Sequence, residues 1–174
     1  MSRESLAEKV RQAALLEGDF VLSSGERSRF YVDKYLFSTE PALLEELAGA
    51  LADRLPRGID RLAGVELGAV PLVVALALRT GLPYVIVRRD VKEYGTSRSV
   101  EGRLEEGESV ALVEDVVTTG AQSLKAARGL AEGGCKVEKV LAVLDRRESP
   151  GAELGEFDFE ALLEMDDLGV ESGD

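Results

Sequence analysis

The pattern of apolar and polar positions predicts alternating helices and strands along most of the chain. A helix is predicted over 2–16, where Leu6 and Val10 belong to an apolar stripe at helical spacing and Ser2 is a suitable N-cap. Two apolar segments, 20–22 and 30–32, flank a turn-rich stretch and predict a hairpin.

A second helix is predicted after Thr39 as its cap, with Pro41 in its first turn and leucines along one face. Strands and helices then alternate. The predicted strands are 62–67, 84–87, 110–113 and 137–144, and the predicted helices are 72–80 and 121–132. Strands separated by helices imply a parallel sheet covered on both faces, which is a doubly wound α/β fold with ligands at the carboxyl ends of the strands.

The composition narrows the chemistry that such a site can use. The chain has no histidine and one cysteine, Cys135, so Ser/His and Cys/His nucleophiles, intrachain disulfides and the usual zinc sites are excluded. A net charge of −12 disfavours nucleic acid and anionic membranes as partners. Only six of the 21 basic residues are lysines; this and the acid excess suit a salt-loving source, although a merely acidic mesophilic protein would have the same charge.

The length of 174 residues is that of one ordinary domain, and we expect 1–174 to form it. No apolar run is long enough to cross a bilayer, and the residues after Met1 do not resemble a secretion leader, so a cytoplasmic location is expected.

The strongest motif for function spans 110–123. An apolar strand is predicted to end in Glu114 and Asp115, and a short loop with two threonines and Gly120 leads into a helix. Free N–H groups and the helix dipole make such a loop an anion site, and glycine allows a phosphate to approach the backbone closely. The acids repel that same phosphate, so they suit the hydroxyls of an attached sugar or a magnesium ion.

This segment resembles the phosphoribosyl pyrophosphate (PRPP) signature of the type I phosphoribosyltransferases. The resemblance implies that Glu114 and Asp115 lie along the ribose hydroxyls and act in catalysis. It also implies a loop that holds the 5′-phosphate, comprising Val116, Val117, Thr118, Thr119, Gly120, Ala121 and Gln122.

Further segments resemble orotate phosphoribosyltransferases of archaeal type. Residues 18–34 resemble the small N-terminal hood of that family, formed here by 1–38, and imply that Phe30 and Tyr31 contact orotate. Many members have lysine at the position of Ser23. Read alone, this stretch is also compatible with an ordinary hairpin packed on the core.

Residues 64–71 resemble the pyrophosphate loop, in which some members have lysine at the position of Gly68, so binding here would depend on backbone amides. A glycine turn needed only for packing is the alternative. The Asp-Arg at the end of the last predicted strand implies that Arg146 binds the orotate carboxylate, with Thr118 beside the base.

Residues 87–102 resemble a mobile loop that closes over the site of the neighbouring subunit, here 90–108. The resemblance implies that Arg88, Arg89, Lys92 and Tyr94 contact the pyrophosphate, with Lys92 catalytic, and that the protein is a homodimer. Tyr94 stands where the family commonly has histidine. Without the resemblance, the segment reads as a solvated charged loop.

The activity implied is transfer of the phosphoribosyl group from PRPP to orotate, which gives orotidine 5′-monophosphate and pyrophosphate. Magnesium is the implied cofactor, held mainly by the substrate and in part through Asp115. A phosphoribosyltransferase for a purine base would share the 110–123 motif, and so would a regulator that senses PRPP without catalysis.

Overall fold

The computed structural model describes residues 2–21, 25, 27–89 and 99–170 of the chain. The helices in these ranges are α1 (Arg3–Ala14), α2 (Lys34–Ser38), α3 (Pro41–Ala52), α4 (Ala69–Thr80) and α5 (Ala121–Glu132). The strands are β1 (Leu15–Val21), β2 (Arg27–Val32), β3 (Arg61–Val65), β4 (Tyr84–Val87), β5 (Val100–Glu101), β6 (Ser109–Val117), β7 (Lys136–Asp145), β8 (Glu153–Leu154) and β9 (Phe157–Glu164). A short 3-10 helix, Met165–Leu168, follows β9.

Seven strands form the main sheet, in the order β5-β4-β3-β6-β7-β9-β8. The five central strands are parallel, and the two-residue strands β5 and β8 add to the edges in antiparallel fashion. The chain leaves β3 through α4 toward β4 and later returns on the other side of β3 as β6. The predicted doubly wound α/β fold is therefore confirmed, with the strand order reversing between β3 and β6.

Apolar residues bury both faces of this sheet. One face packs on α1, α3 and α4, with Leu47, Leu72 and Leu76 fully buried. The other face packs on α5 through Ala127 and Leu130. Alternate side chains of the central strands enter the two clusters, and this explains why the strands are almost uniformly apolar in sequence.

The N-terminal segment forms the predicted hairpin as a separate two-stranded sheet, β1 paired with β2. Ser2 caps α1 by accepting a hydrogen bond from the backbone N–H of Ser5, as predicted. The helix ends at Ala14 rather than at residue 16, because Leu15 and Leu16 pair with β2. Ser23 lies outside the described residues.

The predicted cap of the second helix was wrong. Glu40 is the N-cap of α3 and makes no side-chain cap hydrogen bond, while Pro41 occupies the first turn as expected. Thr39 instead ends α2, a short helix that the pattern did not predict, and its hydroxyl donates to the carbonyl oxygen of Tyr35 at 2.5 Å. The Thr39 hydroxyl is therefore used by the preceding helix.

Two further boundaries differ where they affect the site. Strand β6 does not end at the paired acids but runs on to Val117, because Val116 and Val117 continue the parallel pairing with β7. Helix α4 begins at Ala69, three residues before the predicted start. Strands β8 and β9 were not predicted. Within the described ranges, no helix has the length and apolar character needed to cross a membrane.

Candidate active site

The carboxyl ends of β3, β4, β6 and β7 bring the segments that the sequence singled out to one edge of the sheet. In chain order, the turn 66–68 follows β3, Arg88 and Arg89 follow β4, and Arg146 follows β7. The Thr118–Gly120 loop follows β6. Since the strand order reverses between β3 and β6, these loops surround the crevice where open α/β sheets bind ligands.

The loop after β6 has the form of an anion site. Thr118, Thr119, Ala121 and Gln122 are exposed, and α5 starts at Gly120 with no side-chain cap hydrogen bond. The N–H of Ala121 donates to Oγ1 of Thr119 at 3.3 Å, and the following first-turn N–H groups can donate to a bound anion, with the helix dipole in support. Gly120 has a φ of +79°, and a Cβ there would overlap Leu154, so the loop geometry requires glycine.

The two valines before this loop point inward. Val117 is buried in the core and Val116 is half-buried, so any contact of these residues with a phosphate would have to come from the backbone. The N–H of Val116 already donates to Oδ1 of Asp115 at 2.6 Å, and the carbonyl oxygen of Val117 accepts from the N–H of Arg146 at 2.7 Å. The backbone of both residues is thus held by hydrogen bonds directly before the loop.

Glu114 and Asp115 are buried at the carboxyl end of β6, and their side chains lie close enough for a hydrogen bond between the two carboxyl groups. Glu114 accepts a hydrogen bond from the hydroxyl of Ser123 on α5 at 3.1 Å. Oδ2 of Asp115 is 2.8 Å from the ammonium of Lys34. Lys34 is therefore the ionic partner of this buried carboxylate in the free protein.

Burial has a large effect on the protonation of Glu114. Burial is the largest of the effects that raise the pKa of this carboxyl to about 8, and the charge of Asp115 adds to it. The hydrogen bond from the Ser123 hydroxyl and the charge of Arg89 lower the pKa. The ligand-free pair therefore carries close to one negative charge at neutral pH rather than two. A carboxylic acid beside a carboxylate can both donate to and accept from vicinal hydroxyls.

Lys34 is a site residue that the sequence analysis did not select. It is the first residue of α2, and its ammonium reaches the buried carboxylate of Asp115 from the hood side of the pocket. Its sequence signal is its place as the last residue of the 18–34 segment that resembles the hood, where it was given no role. Sequence spacing alone cannot show that α2 brings this side chain into contact with Asp115 on β6.

Gly68 lies next to Asp115 and Lys34. It is the N-cap of α4, which has no side-chain cap hydrogen bond. A Cβ on Gly68 would overlap Oδ2 of Asp115 and would lie 3.3 Å from Cε of Lys34. The glycine therefore lets the buried acid, the lysine and the helix N-terminus meet at one point.

Arg146 lies beside the hood. Burial lowers the pKa of its guanidinium, and the nearby phenol of Tyr31 opposes that shift. Tyr31 also packs against Phe20, with ring centroids 5.5 Å apart. Phe30 and Tyr31 leave β2 on opposite faces, so of the two predicted aromatic contacts it is Tyr31 that lies near Arg146.

The neighbouring residue, Arg147, holds the end of β7 in place. Its guanidinium makes hydrogen bonds with both carboxylate oxygens of buried Asp145, donates to the carbonyl oxygens of Gly151 and Glu153, and lies 4.4 Å from the ring centroid of Phe159. This arginine has a structural role and is not directed into the pocket, which distinguishes it from Arg146.

The arginines after β4 are near the site and partly engaged. Arg88 pairs with Glu101 at 2.8 Å and lies 4.0 Å from Glu66. The N–H of Arg89 donates to Glu66 at 2.9 Å, and its charge acts on Glu114. Glu66, which the sequence analysis did not assign a role, thus ties the end of β4 to the Glu66–Gly68 turn. The predicted loop residues Lys92 and Tyr94 lie outside the described part of the chain.

A separate cleft of about 350 Å³ lies away from the strand ends, between α1, α3, α4 and β9. Its charged lining is largely satisfied within the protein: Arg3 pairs with Asp167 at 2.6 Å and Arg54 with Glu160 at 2.9 Å. The cleft at the strand ends, with its buried acids and uncapped helices, has the chemistry of a ligand site, and this one does not.

The sheet with its order reversal, the uncapped helix behind a buried acid pair and the arginines around it define a sugar-phosphate transfer site. The phosphoribosyl transferase domain family matches residues 39–159, which is more than half of the chain. The chain belongs to the phosphoribosyltransferase family.

Its relatives define the group within that family. Orotate phosphoribosyltransferase of Natronomonas pharaonis is 45% identical over 171 residues, which cover 97% of this chain and 98% of that protein. The crystal structure of orotate phosphoribosyltransferase from Aeropyrum pernix aligns with a TM-score of 0.80 at 30% identity, covering 94% and 95% of the two chains. The Mycobacterium tuberculosis enzyme in complex with PRPP aligns with a TM-score of 0.74 at 29% identity, covering 97% and 99%.

The chain is thus a pentosyltransferase of the orotate phosphoribosyltransferase group, and the resemblance read from its sequence is confirmed. Several of its relatives come from archaea, halophiles among them, in line with the acidic, lysine-poor composition.

Proposed function

We propose that this chain transfers the phosphoribosyl group of PRPP to orotate at the strand-end cleft, as a step in pyrimidine biosynthesis. The observation that carries the proposal is the 118–120 loop, with its two exposed threonines, at the N-terminus of α5 and two residues beyond the buried pair of Glu114 and Asp115. An anion cradle that follows a hydroxyl-binding acid pair after two residues matches a sugar that carries a phosphate.

In this proposal the 5′-phosphate binds to the amides of the α5 first turn and to the hydroxyls of Thr118 and Thr119, with Ala121 and Gln122 contributing backbone N–H groups. The ribose hydroxyls lie along Glu114 and Asp115. The position of the buried Asp115 carboxylate beside Glu114 at the end of β6 supports this, because carboxyl groups there can form hydrogen bonds with vicinal hydroxyls.

Catalysis then depends on position and charge. The transition state has a positively charged, oxocarbenium-like ribose, and the acids beneath it favour that charge. The partial deprotonation available to Glu114 would strengthen the effect as positive charge develops. No histidine or thiol nucleophile is needed, in agreement with the composition.

Orotate is placed between the hood and the end of β7. Arg146 would bind its carboxylate through a planar two-point contact, and Tyr31 would cover the ring, with Thr118 at the base edge. The position of Tyr31 near Arg146 supports this assignment, and Phe30 would act from the opposite face of β2 as packing for the hood.

Magnesium is the proposed cofactor. In the described ranges no group of three His, Cys, Asp or Glu residues could hold a metal ion, so the ion would be held mainly by PRPP, with Asp115 as a protein carboxylate that contributes in part. When bound, it would neutralise the diphosphate leaving group. Arg88, Arg89, Lys92 and Tyr94 would close over the diphosphate from a neighbouring subunit in a homodimer. The cytoplasmic location stays a prediction.

The test is an orotate-consumption assay with PRPP and Mg²⁺. We expect turnover by the wild type and a loss of about a hundredfold or more in Asp115→Ala, which removes a group beneath the developing charge. Adenine, guanine, hypoxanthine and xanthine serve as competing bases. Turnover with one of these and not with orotate would assign a purine-base enzyme, and PRPP binding without turnover of any base would assign a regulator.

A further inference from the structure

The pyrophosphate loop of this chain carries no cationic side chain of its own. Gly68 is the N-cap of α4 there, and a Cβ at that position would overlap Oδ2 of Asp115, so a side chain would fit only if Asp115 moved. A diphosphate with several negative charges would be met at this turn by backbone amides alone. A cation must therefore come from elsewhere in the fold if the turn is to have one.

Lys34 already lies at this corner. Its Cε is 3.3 Å from the position that a Cβ of residue 68 would take, and its ammonium is 2.8 Å from Oδ2 of Asp115. The lysine side chain is 26% exposed, whereas the Asp115 side chain is 1% exposed. The ammonium thus sits at the border between the buried acid and the open cleft, on a flexible four-carbon stem that can redirect it.

We propose that Lys34 supplies the cation of the diphosphate subsite, and that its pairing with Asp115 is its resting position in the free enzyme. This inference rests on the proposed function, because it takes PRPP as the ligand. When PRPP binds, a ribose hydroxyl replaces the ammonium as the partner of Oδ2, and the ammonium turns to the diphosphate above the amides of Gly68 and Ala69.

The arrangement has two consequences. The buried carboxylate keeps a positive partner before the substrate arrives, which lowers the cost of its burial. The same charge becomes available to the leaving group only when the sugar is correctly seated, so binding of the ribose and of the diphosphate is linked. A lysine fixed permanently as a counterion of Asp115 would lower the cost of burying the carboxylate, but it would not link binding of the ribose to binding of the diphosphate.

Binding of three probes separates these roles. Titration calorimetry with Mg²⁺ compares PRPP, inorganic pyrophosphate and ribose 5-phosphate on the wild type, Lys34→Met and Lys34→Arg. We expect Lys34→Met to weaken PRPP and pyrophosphate by about tenfold or more and ribose 5-phosphate by less than about threefold, since only the first two carry a diphosphate. Lys34→Arg should recover part of the loss. Lys136→Met, which removes an exposed lysine at the start of β7, is the matched control.

A pair of variants covers the case in which Lys34→Met fails to fold because it leaves Asp115 unpaired. Asp115→Asn removes the buried charge, and Lys34→Met/Asp115→Asn then removes the lysine without stranding an acid. Pyrophosphate should bind to the single variant and at least about tenfold more weakly to the double variant.

Equal pyrophosphate affinity in those two variants would overturn the proposal, and so would an equal loss of ribose 5-phosphate and PRPP binding in Lys34→Met, which is the mark of a pure counterion. A wild type that binds none of the three probes would instead refute the proposed function.

Discussion

The backbone N–H of Arg146 donates to the carbonyl oxygen of Val117 at 2.7 Å, so the end of β7 is fixed to the last residue of β6. Val117 directly precedes the phosphate loop, and Arg146 is the residue assigned to the base. This hydrogen bond extends the pairing of β6 with β7 to the two halves of the proposed site, through backbone atoms that side-chain substitutions leave in place.

Substitution of Arg146 should therefore separate the two substrates. In Arg146→Ala we expect KM for orotate to rise by about tenfold or more, while KM for PRPP changes by less than about threefold, because the charge-assisted contact is lost but the backbone tie to Val117 stays. Arg146→Lys should recover little, since an ammonium cannot make the planar two-point contact. Steady-state kinetics with each substrate varied in turn measures this. Equal rises in both KM values would contradict the role given to Arg146.

Gly120 should be intolerant of any side chain. In Gly120→Ala the residue has to keep a φ of +79° and its Cβ meets Leu154, so we expect a loss of about 1–3 kcal/mol in the free energy of unfolding and weaker phosphate binding. Urea unfolding and ribose 5-phosphate titration measure the two effects. Gly25→Ala is a partial control, since Gly25 also has a positive φ but has open space around its Cβ position. Normal phosphate affinity in folded Gly120→Ala would show that the loop geometry is not needed.

Glu114 should make the free enzyme less stable as the pH rises. The pKa of its carboxyl is about 8 in the folded state and near 4.5 when unfolded, so between these values the folded state binds more protons and the free energy of unfolding falls with pH. The loss over this window is on the order of 2–4 kcal/mol.

Glu114→Gln has no such titration and keeps an acceptor for the Ser123 hydroxyl. Its free energy of unfolding, measured with urea at pH 5 and pH 8 without Mg²⁺ or substrates, should fall by clearly less than that of the wild type. Parallel pH profiles of the two proteins would show that Glu114 titrates normally.

The pair of Arg61 and Glu108 should show the opposite pH dependence and no effect on activity. It links the starts of β3 and β6 at the end of the sheet opposite the site, through hydrogen bonds of 2.6 and 2.7 Å. Arg61 holds the pKa of Glu108 at about 2, so the stability from this pair is present above pH 4.5 and is lost as the pH falls toward 2.

Arg61→Met should lose about 1–3 kcal/mol at pH 7, where an acid is left unpaired, and should lose less than the wild type on acidification. Its kcat and KM values, measured at a temperature where it is fully folded, should equal those of the wild type. A changed KM for PRPP would mean that strain at the amino ends of the strands reaches the cleft.

The sequence predicted the parts of the fold that depend on local pattern. Helix α5 was placed to the residue, because apolar spacing and two terminal glycines mark it, and the phosphate loop was found because its glycine and threonines are consecutive. The predictions failed where tertiary pairing decides. Strand β6 continues through two acids because β7 lies beside it, and no propensity favours adjacent carboxylates in a buried strand.

The Lys34–Asp115 contact joins positions 81 residues apart and was out of reach for the same reason. The separation of Phe30 from Tyr31, in contrast, could have been predicted, since strand alternation alone places neighbouring residues on opposite faces.

The two-residue strands β5 and β8 give the sheet an additional property. A long, straight outer strand offers a row of backbone donors and acceptors to other molecules, and strands of two residues running against their neighbours leave almost none. At Ile86 and Val87 on one side and at Phe157 and Asp158 on the other, the parallel core is thus shielded from joining the sheets of other copies. We expect the folded protein to resist fibre formation even in concentrated salt, where its acidic surface no longer keeps molecules apart by repulsion.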